Sequence, residues 1–285
     1  MMDLILIITC LITLTIAASY DLKWRYVPDY ASYSFIIIAI IERILYAIEI
    51  SNPNVALWAI PASLILTGFG YVLYRGGLWG GGDVKIIAST SILIAYFPLE
   101  TIPLFIDFFM NLMIIGALYI VPATILIGIK RKIRPDNKEK TQMAIGILIA
   151  ITLYIIRPML STSMISIGIL IVTSIQYLRR VEKEGLIVPA NMKTLMDGDW
   201  LVEKIKVGKK TIKPKKQGLT KEEAALIKKW WKQGKLKKKP LIKEGIAYLP
   251  AFLIAFLTTI TFSNLMILIV SEGLTNSINI AKLLY

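Results

Sequence analysis

Two aspartates stand where apolar runs of this 285-residue chain meet polar loops, and they are its first sign of chemistry. Asp21 closes one run in Tyr20-Asp21-Leu22-Lys23-Trp24-Arg25-Tyr26-Val27-Pro28-Asp29, and Asp83 opens another in Gly80-Gly81-Gly82-Asp83-Val84-Lys85. Two carboxylates about 3 Å apart cannot both ionise, so they share one proton. The ionised member can take a proton from water while the protonated one donates to a carbonyl oxygen. That is the chemistry of aspartic proteolysis. A plainer reading also fits: a flexible loop between two helices, with an acid near a helix start where the macrodipole favours it. The glycines at 76, 77, 80, 81 and 82 lack Cβ atoms. They are expected to permit positive φ and the close approach of a helix or an extended substrate.

Other chemistries are excluded by composition. The chain has no histidine and a single cysteine, Cys10, inside an apolar run. A histidine general base, a Cys/His zinc site and an internal disulfide all lack the residues they need. No metal or organic cofactor is implied. Hydrophobic residues make up 56% of the chain and charged ones only 18%, against about 45–50% and about 25% in soluble domains. The excess collects in runs long enough, or nearly so, to cross a bilayer, which excludes a soluble enzyme with one anchor.

Eight spans are expected, near 4–20, 31–50, 55–75, 84–98, 104–129, 143–157, 161–178 and 249–271. In lipid each must be helical, because every backbone N–H and C=O needs an internal partner. Basic residues set the orientation. Lys23, Arg25, Arg75 and Lys85, the cluster from Lys130 to Lys140 and the stretch 179–245 all fall in alternate loops. The loops 51–54, 99–103 and 158–160 carry no Lys or Arg. Counting Lys and Arg near span ends puts both termini outside and places Asp21, Asp83 and 179–245 at the cytoplasmic face of a cell-membrane protein. The first run carries Asp3 ahead of it and its basic residues behind it, which reads as a retained helix rather than a secretory signal.

The stretch 179–245 holds 20 Lys+Arg against 8 Asp+Glu. Its patterning predicts a hairpin from Val202 to Lys213 turning at Val207-Gly208-Lys209. A capping box, Thr220 with Glu223, predicts a helix near 221–233 that stops at Gly234. The fold class is therefore an all-α polytopic membrane protein with a small α+β cytoplasmic domain. Its divisions are 1–178 (transmembrane, catalytic), 179–248 (basic, cytoplasmic) and 249–285 (last span and outer tail).

Gly80-Gly81-Gly82-Asp83 matches the G-x-G-D signature of a class of membrane aspartic proteases. Asp21 with its Lys-x-Arg-x-Val-Pro-Asp continuation resembles the first aspartate motif of the type IV prepilin peptidases. More closely, the chain resembles the archaeal preflagellin and prepilin peptidases. The likeness continues in Gly198-Asp199, in Gly218-Leu219-Thr220-Lys221-Glu222-Glu223, and in Lys243-Glu244-Gly245-Ile246-Ala247-Tyr248-Leu249-Pro250-Ala251-Phe252. The resemblance implies Asp21 and Asp83 as catalytic residues, Gly80 and Gly82 as backbone-shaping, and Lys23, Arg25, Asp29 and Lys85 as supporting or substrate-contacting. It implies pilin-like or archaellin precursors as substrates, each with a short basic leader ahead of a hydrophobic helix. Bacterial relatives carry a cytoplasmic domain with paired cysteines and methylate the new N-terminus. With one membrane-embedded cysteine, this chain is expected to cleave without methylating. Relative to a six-helix archaeal peptidase, the spans at 143–178 look like an added hairpin.

Weaker signals remain. Asp107 and Asn111 lie within the fifth span toward its outer end, where a structural or interfacial role is expected. Glu42 and Arg43 are expected to pair or snorkel, and Asp29 either to cap the second helix or to orient Lys23 or Arg25. The Lys run 235–239 beside Trp230-Trp231 reads as a contact for anionic headgroups rather than nucleic acid. Two rival readings stand. One is a presenilin or signal-peptide-peptidase-like protease, against which stands the placement of the aspartates on the first and fourth spans. The other is a transporter or scaffold with a lipid-binding module, against which stand the largely apolar spans.

Overall fold

The computed structural model describes residues 2–98, 102–208 and 210–272. Helices α1 (Met2–Trp24), α2 (Asp29–Glu49), α3 (Pro53–Leu57), α4 (Ala59–Gly76) and α5 (Gly81–Leu93) open the chain. Next come α6 (Leu104–Lys130), α7 (Asn137–Ile156) and α8 (Leu160–Gly185). Strands β1 (Ile187–Pro189), β2 (Trp200–Leu201), β3 (Ile205–Val207) and β4 (Lys210–Ile212) precede α9 (Lys221–Lys232), β5 (Leu241–Lys243) and α10 (Leu249–Phe262). A last helix, α11 (Leu265–Glu272), is bent 53° from α10. Among the described residues six helices, counting α3 with α4 as one, are long and apolar enough to cross a membrane, and the α10–α11 pair makes a seventh. The chain is a polytopic helical membrane protein.

Two expected spans are built differently. The fourth is the thirteen-residue α5, about 20 Å long at 1.5 Å per residue, and the hydrocarbon core is about 30 Å thick. Its residues from Ile86 to Ala95 are all buried, because α5 packs against α1, α2 and α4 rather than facing lipid. The apolar stretch 84–98 thus combines a core helix with an irregular tail. The last span is broken at Ser263, whose φ is +56°. Asn264 restarts it as a cap, its Oδ1 accepting from the N–H groups of Met266 (3.0 Å) and Ile267 (3.3 Å).

The chain divides into two compact units, residues 1–99 with 184–250, and residues 100–183 with 251–285. In the first, α1 turns one stripe inward: Leu6, Cys10, Thr13, Leu14, Ala17, Ala18 and Asp21 are buried at helical spacing. Asp21 ends that stripe. The α+β segment joins this unit, and its strands and α9 share a core of Leu201, Ile205, Ile212, Leu219, Ile227 and Trp230. Its sheet is antiparallel in the order β1-β5-β2, and β3–β4 form the separate predicted hairpin. Lys209, named in the expected turn, lies outside the described residues, as does the tail from 273. The Thr220–Glu223 box forms reciprocally (3.0 and 3.2 Å), and Gly234, at φ +66°, follows the end of the helix. Helix α8 continues to Gly185, so residues 179–185, expected in the basic module, are helical. Gly198 and Gly218, from two blocks of the resemblance, meet in this module. The Gly198 N–H donates to the Leu219 carbonyl, and the Leu219 N–H to that of Asp199, both at 2.9 Å. A Cβ on Gly218 would lie 2.2 Å from the Gly198 oxygen, so only glycine fits there.

The second unit is held by small residues and buried polar side chains. A Cβ on Gly146 of α7 would sit 2.1 Å from Thr173 Oγ1 of α8, which explains how the 143–178 hairpin closes. Asp107 and Asn111 take the structural role expected of them. Asn264 donates to Asp107 Oδ1 (2.8 Å), Asn111 donates to Thr259 Oγ1 (3.0 Å), and the Leu265 N–H donates to Asn111 Oδ1 (2.9 Å). Asn111 thus satisfies backbone that the helix break exposes, accepting from Leu265 and also donating to the Ser263 carbonyl at 2.5 Å, groups that hydrocarbon would leave unpaired.

Candidate active site

Asp21 lies in the last turn of α1 and Asp83 in the first turn of α5, and these two helices pack on each other. Because one helix ends where the other begins, both carboxylates fall at the same end of the pair. They lie within electrostatic reach of one another. Asp21 is buried and its Oδ2 accepts the Leu249 N–H at 3.0 Å. The Asp83 Oδ2 accepts the Gly80 N–H at 2.8 Å, satisfying a donor that a helix start otherwise leaves orphaned.

The glycines act differently from expectation. Of the five between 76 and 82, only Gly77 has positive φ, at +75°. It terminates α4, with its N–H on the Tyr74 carbonyl and that of Leu78 on the Leu73 carbonyl. Gly80 has extended backbone (φ −82°, ψ 160°), and Gly81 and Gly82 begin α5. The positive-φ argument therefore fails at Gly82, where a Cβ would meet only Val27 at 3.9 Å, an ordinary contact. Gly82→Ala is expected to keep cleavage rates within about threefold, in line with the small effects of unstrained substitutions. Gly77→Ala, strained by its φ and only 3.1 Å from the Lys216 carbonyl oxygen, is expected to cost about 1–2 kcal/mol. A cleavage assay on Gly82→Ala and thermal unfolding of Gly77→Ala check the two statements.

Asp29 is the first residue of α2, and no side chain caps that helix. Its carboxylate instead holds Lys85 Nζ at 2.5 Å, and the ammonium also lies 5.0 Å from the Tyr33 ring centre. Asp29 and Lys85 thus tie the loop after Asp21 to the helix that carries Asp83. A leader contact at Asp29 would have to compete with that ion pair. Lys23 sits 4.5 Å from the Trp24 ring centre. Arg25, at φ +56°, ends α1 with its N–H on the Asp21 carbonyl at 2.9 Å.

Arg43 does not snorkel. It is buried, and its guanidinium donates to the carbonyls of Ile92 (2.9 Å) and Leu93 at the far end of α5 and of Tyr96 (2.8 Å) just beyond it. Glu42 Oε1 accepts from Thr9 Oγ1 at 2.8 Å. Neither the Arg43 role nor the Leu249 contact was read from sequence. The Leu249 contact had one available signal, the C-terminal block ending in Tyr248-Leu249-Pro250.

The fold is that of a polytopic membrane protein with a pair of carboxylates at one end of a helix pair. Residues 8–121 match the model of the type IV leader peptidase family, Peptidase_A24. That region, less than half of the chain, is similar to the family and carries both aspartates. The match stops short of the α+β segment and the last helices. No curated protein and no solved structure matches the chain.

Proposed function

We propose that the chain is an aspartic endopeptidase that removes short basic leaders from archaeal type IV pilin-like or archaellin precursors at the cytoplasmic membrane face. The observation that carries this reading is that Asp21 and Asp83 lie at one end of the packed helices α1 and α5, within electrostatic reach of each other and inside the family-matched region. The ionised carboxylate takes a proton from water as the water oxygen bonds to the scissile carbonyl carbon. The protonated carboxyl gives its proton to the carbonyl oxygen. Collapse of the tetrahedral species breaks the C–N bond, and the leaving amine takes up a proton. A precursor whose leader precedes a membrane helix presents its cut site at the membrane edge, the level at which Asp21 and Asp83 end their apolar runs.

The test is purified full-length protein in detergent against a panel of archaellin and pilin precursors, with product N-termini identified by mass. Cleavage at the junction between leader and helix, with an unmethylated new N-terminus, is expected. Cuts deep within the hydrophobic segment would favour a presenilin-like protease instead.

The basic segment is assigned to anionic headgroups, with both termini outside and no nucleic-acid partner. Lys235, Lys237, Lys238 and Lys239 are all exposed, and each basic residue near an anionic surface contributes about 1 kcal/mol. In nanodiscs, anionic lipid is expected to raise the turnover of the parent. The variant with all four lysines changed to Gln is expected to lose that stimulation, most visibly at low salt. Equal lipid dependence in both proteins would overturn the assignment.

A further inference from the structure

The contact at Asp21 comes from the far end of the sequence, 228 residues away. The Leu249 N–H is the donor, and Leu249 begins α10 just after the short segment that follows β5. Pro250 has no N–H, so the donors at this helix start are few. Tyr248 adds its own backbone N–H toward Asp21. Its ring packs on Trp79 with centroids 5.7 Å apart, and its hydroxyl is within electrostatic reach of Asp83. Trp79 in turn is buried against Gly70 of α4, where a Cβ would meet its ring at 3.1 Å. One dipeptide therefore faces both carboxylates and is itself wedged in place by the loop that leads to Asp83.

A carboxylate bonded by a backbone N–H has a fixed rotamer, because the donor is part of the fold rather than a mobile side chain. Catalysis by paired acids is sensitive to small displacements, since the reacting atoms must meet within about 3–3.5 Å. We propose that Tyr248-Leu249 is a positioning element of the active site, in which the Leu249 N–H fixes the Asp21 carboxylate for reaction. This rests on the reading of Asp21 and Asp83 as the catalytic pair. It also gives the segment 243–252, outside the family-matched region, a place in the chemistry.

The backbone donor can be removed alone. Incorporating the α-hydroxy analogue of leucine at position 249 by cell-free translation of the full chain into nanodiscs replaces the N–H by an ester oxygen and keeps the side chain. Leu249→Pro removes the same donor at a first-turn position that tolerates proline. Leu249→Ala keeps the donor and trims the side chain. For the ester and proline forms, kcat on a precursor is expected to fall roughly 10- to 100-fold, the worth of a hydrogen bond to a charged group. KM is expected to stay within about threefold, since the bound precursor need not touch this group. Leu249→Ala is expected to stay within about fivefold of the parent in kcat, which a role confined to packing would not allow. An ester form with parental kcat would overturn the proposal, as would equal losses in the ester and alanine forms. Asp21→Asn, measured alongside, separates the two levels. If it remains active, the catalytic pair is wrong. If it is dead while the ester form is unimpaired, the pair stands and the positioning role falls.

Discussion

Asp21→Asn and Asp83→Asn are each expected to abolish precursor cleavage while leaving expression and membrane insertion near parental levels. The amide is nearly the size of the carboxyl but cannot hold or pass the shared proton, and general acid–base steps of this kind contribute about 10²- to 10⁴-fold each. Neither substitution removes an apolar side chain from the buried stripe of α1, which Asp21 only ends. The Leu249 N–H can still donate to the amide oxygen that replaces the Asp21 carboxylate, and the Gly80 N–H to the amide oxygen that replaces that of Asp83, so each site keeps its backbone partner. The loss should therefore appear in kcat with the thermal unfolding midpoint little changed. The double variant should be no worse than either single one, because residues acting as one unit give non-additive losses. Appreciable turnover by either single variant in a precursor-processing assay would sink the assignment. Activity should also persist in EDTA, since the proposed mechanism uses no metal. Inactivation by chelator, reversed on adding zinc, would contradict it.

How far this site could be read in advance depended on the range of the interactions. Short-range features are legible because neighbours in sequence are neighbours in space: Asp83 opens a helix as its spacing implies, and the Gly80–Asp83 bond spans one helical turn. The same holds for the Thr220–Glu223 box and the hairpin at Gly208. Contacts between distant segments were not legible. Periodicity marks Leu249 as the start of an apolar helix but says nothing of the carboxylate its N–H meets. Sequence spacing offers Asp29 only local caps and local cations, whereas its partner is Lys85 on another helix. The break at Ser263-Asn264 is hidden in the sequence for a different reason. Two polar residues in an apolar run barely alter its mean hydropathy, whereas Asn at the second position supplies the cap that lets a helix restart. The glycine loop shows the opposite error. A cluster of five suggested strain, yet only Gly77 has positive φ.

The fourth span has the most consequential difference, and Arg43→Met is the substitution that tests it. Helix α5 carries Asp83 at its start and stops after thirteen residues, so its last carbonyls end in the protein interior without the partners a longer helix would supply. A helix end leaves four such groups, and in a water-poor interior each unpaired one costs about 1–3 kcal/mol. Arg43 answers three acceptors with one planar fork, on Ile92, Leu93 and Tyr96. Its positive charge also sits at the negative end of the α5 macrodipole. The guanidinium is flanked by Tyr46 and Phe97, with ring centres 5.6 and 5.3 Å away, which lowers the cost of holding a cation there. Methionine in its place keeps the length and the apolar stem but has no donor, so the expected loss is about 3 kcal/mol or more. For a protein of this size that corresponds to a fall in the unfolding midpoint of roughly 6–12 °C. Arg43→Lys retains the charge and can reach only some of the acceptors, so it should fall between parent and Arg43→Met. If Asp83 at the other end of α5 acts as proposed, kcat on a precursor should decline in the same order, with KM little changed. Thermal unfolding in detergent, followed by tryptophan fluorescence, decides the matter: an Arg43→Met variant melting with the parent would mean that Arg43 does not hold α5, and the position of Asp83 would then need another support.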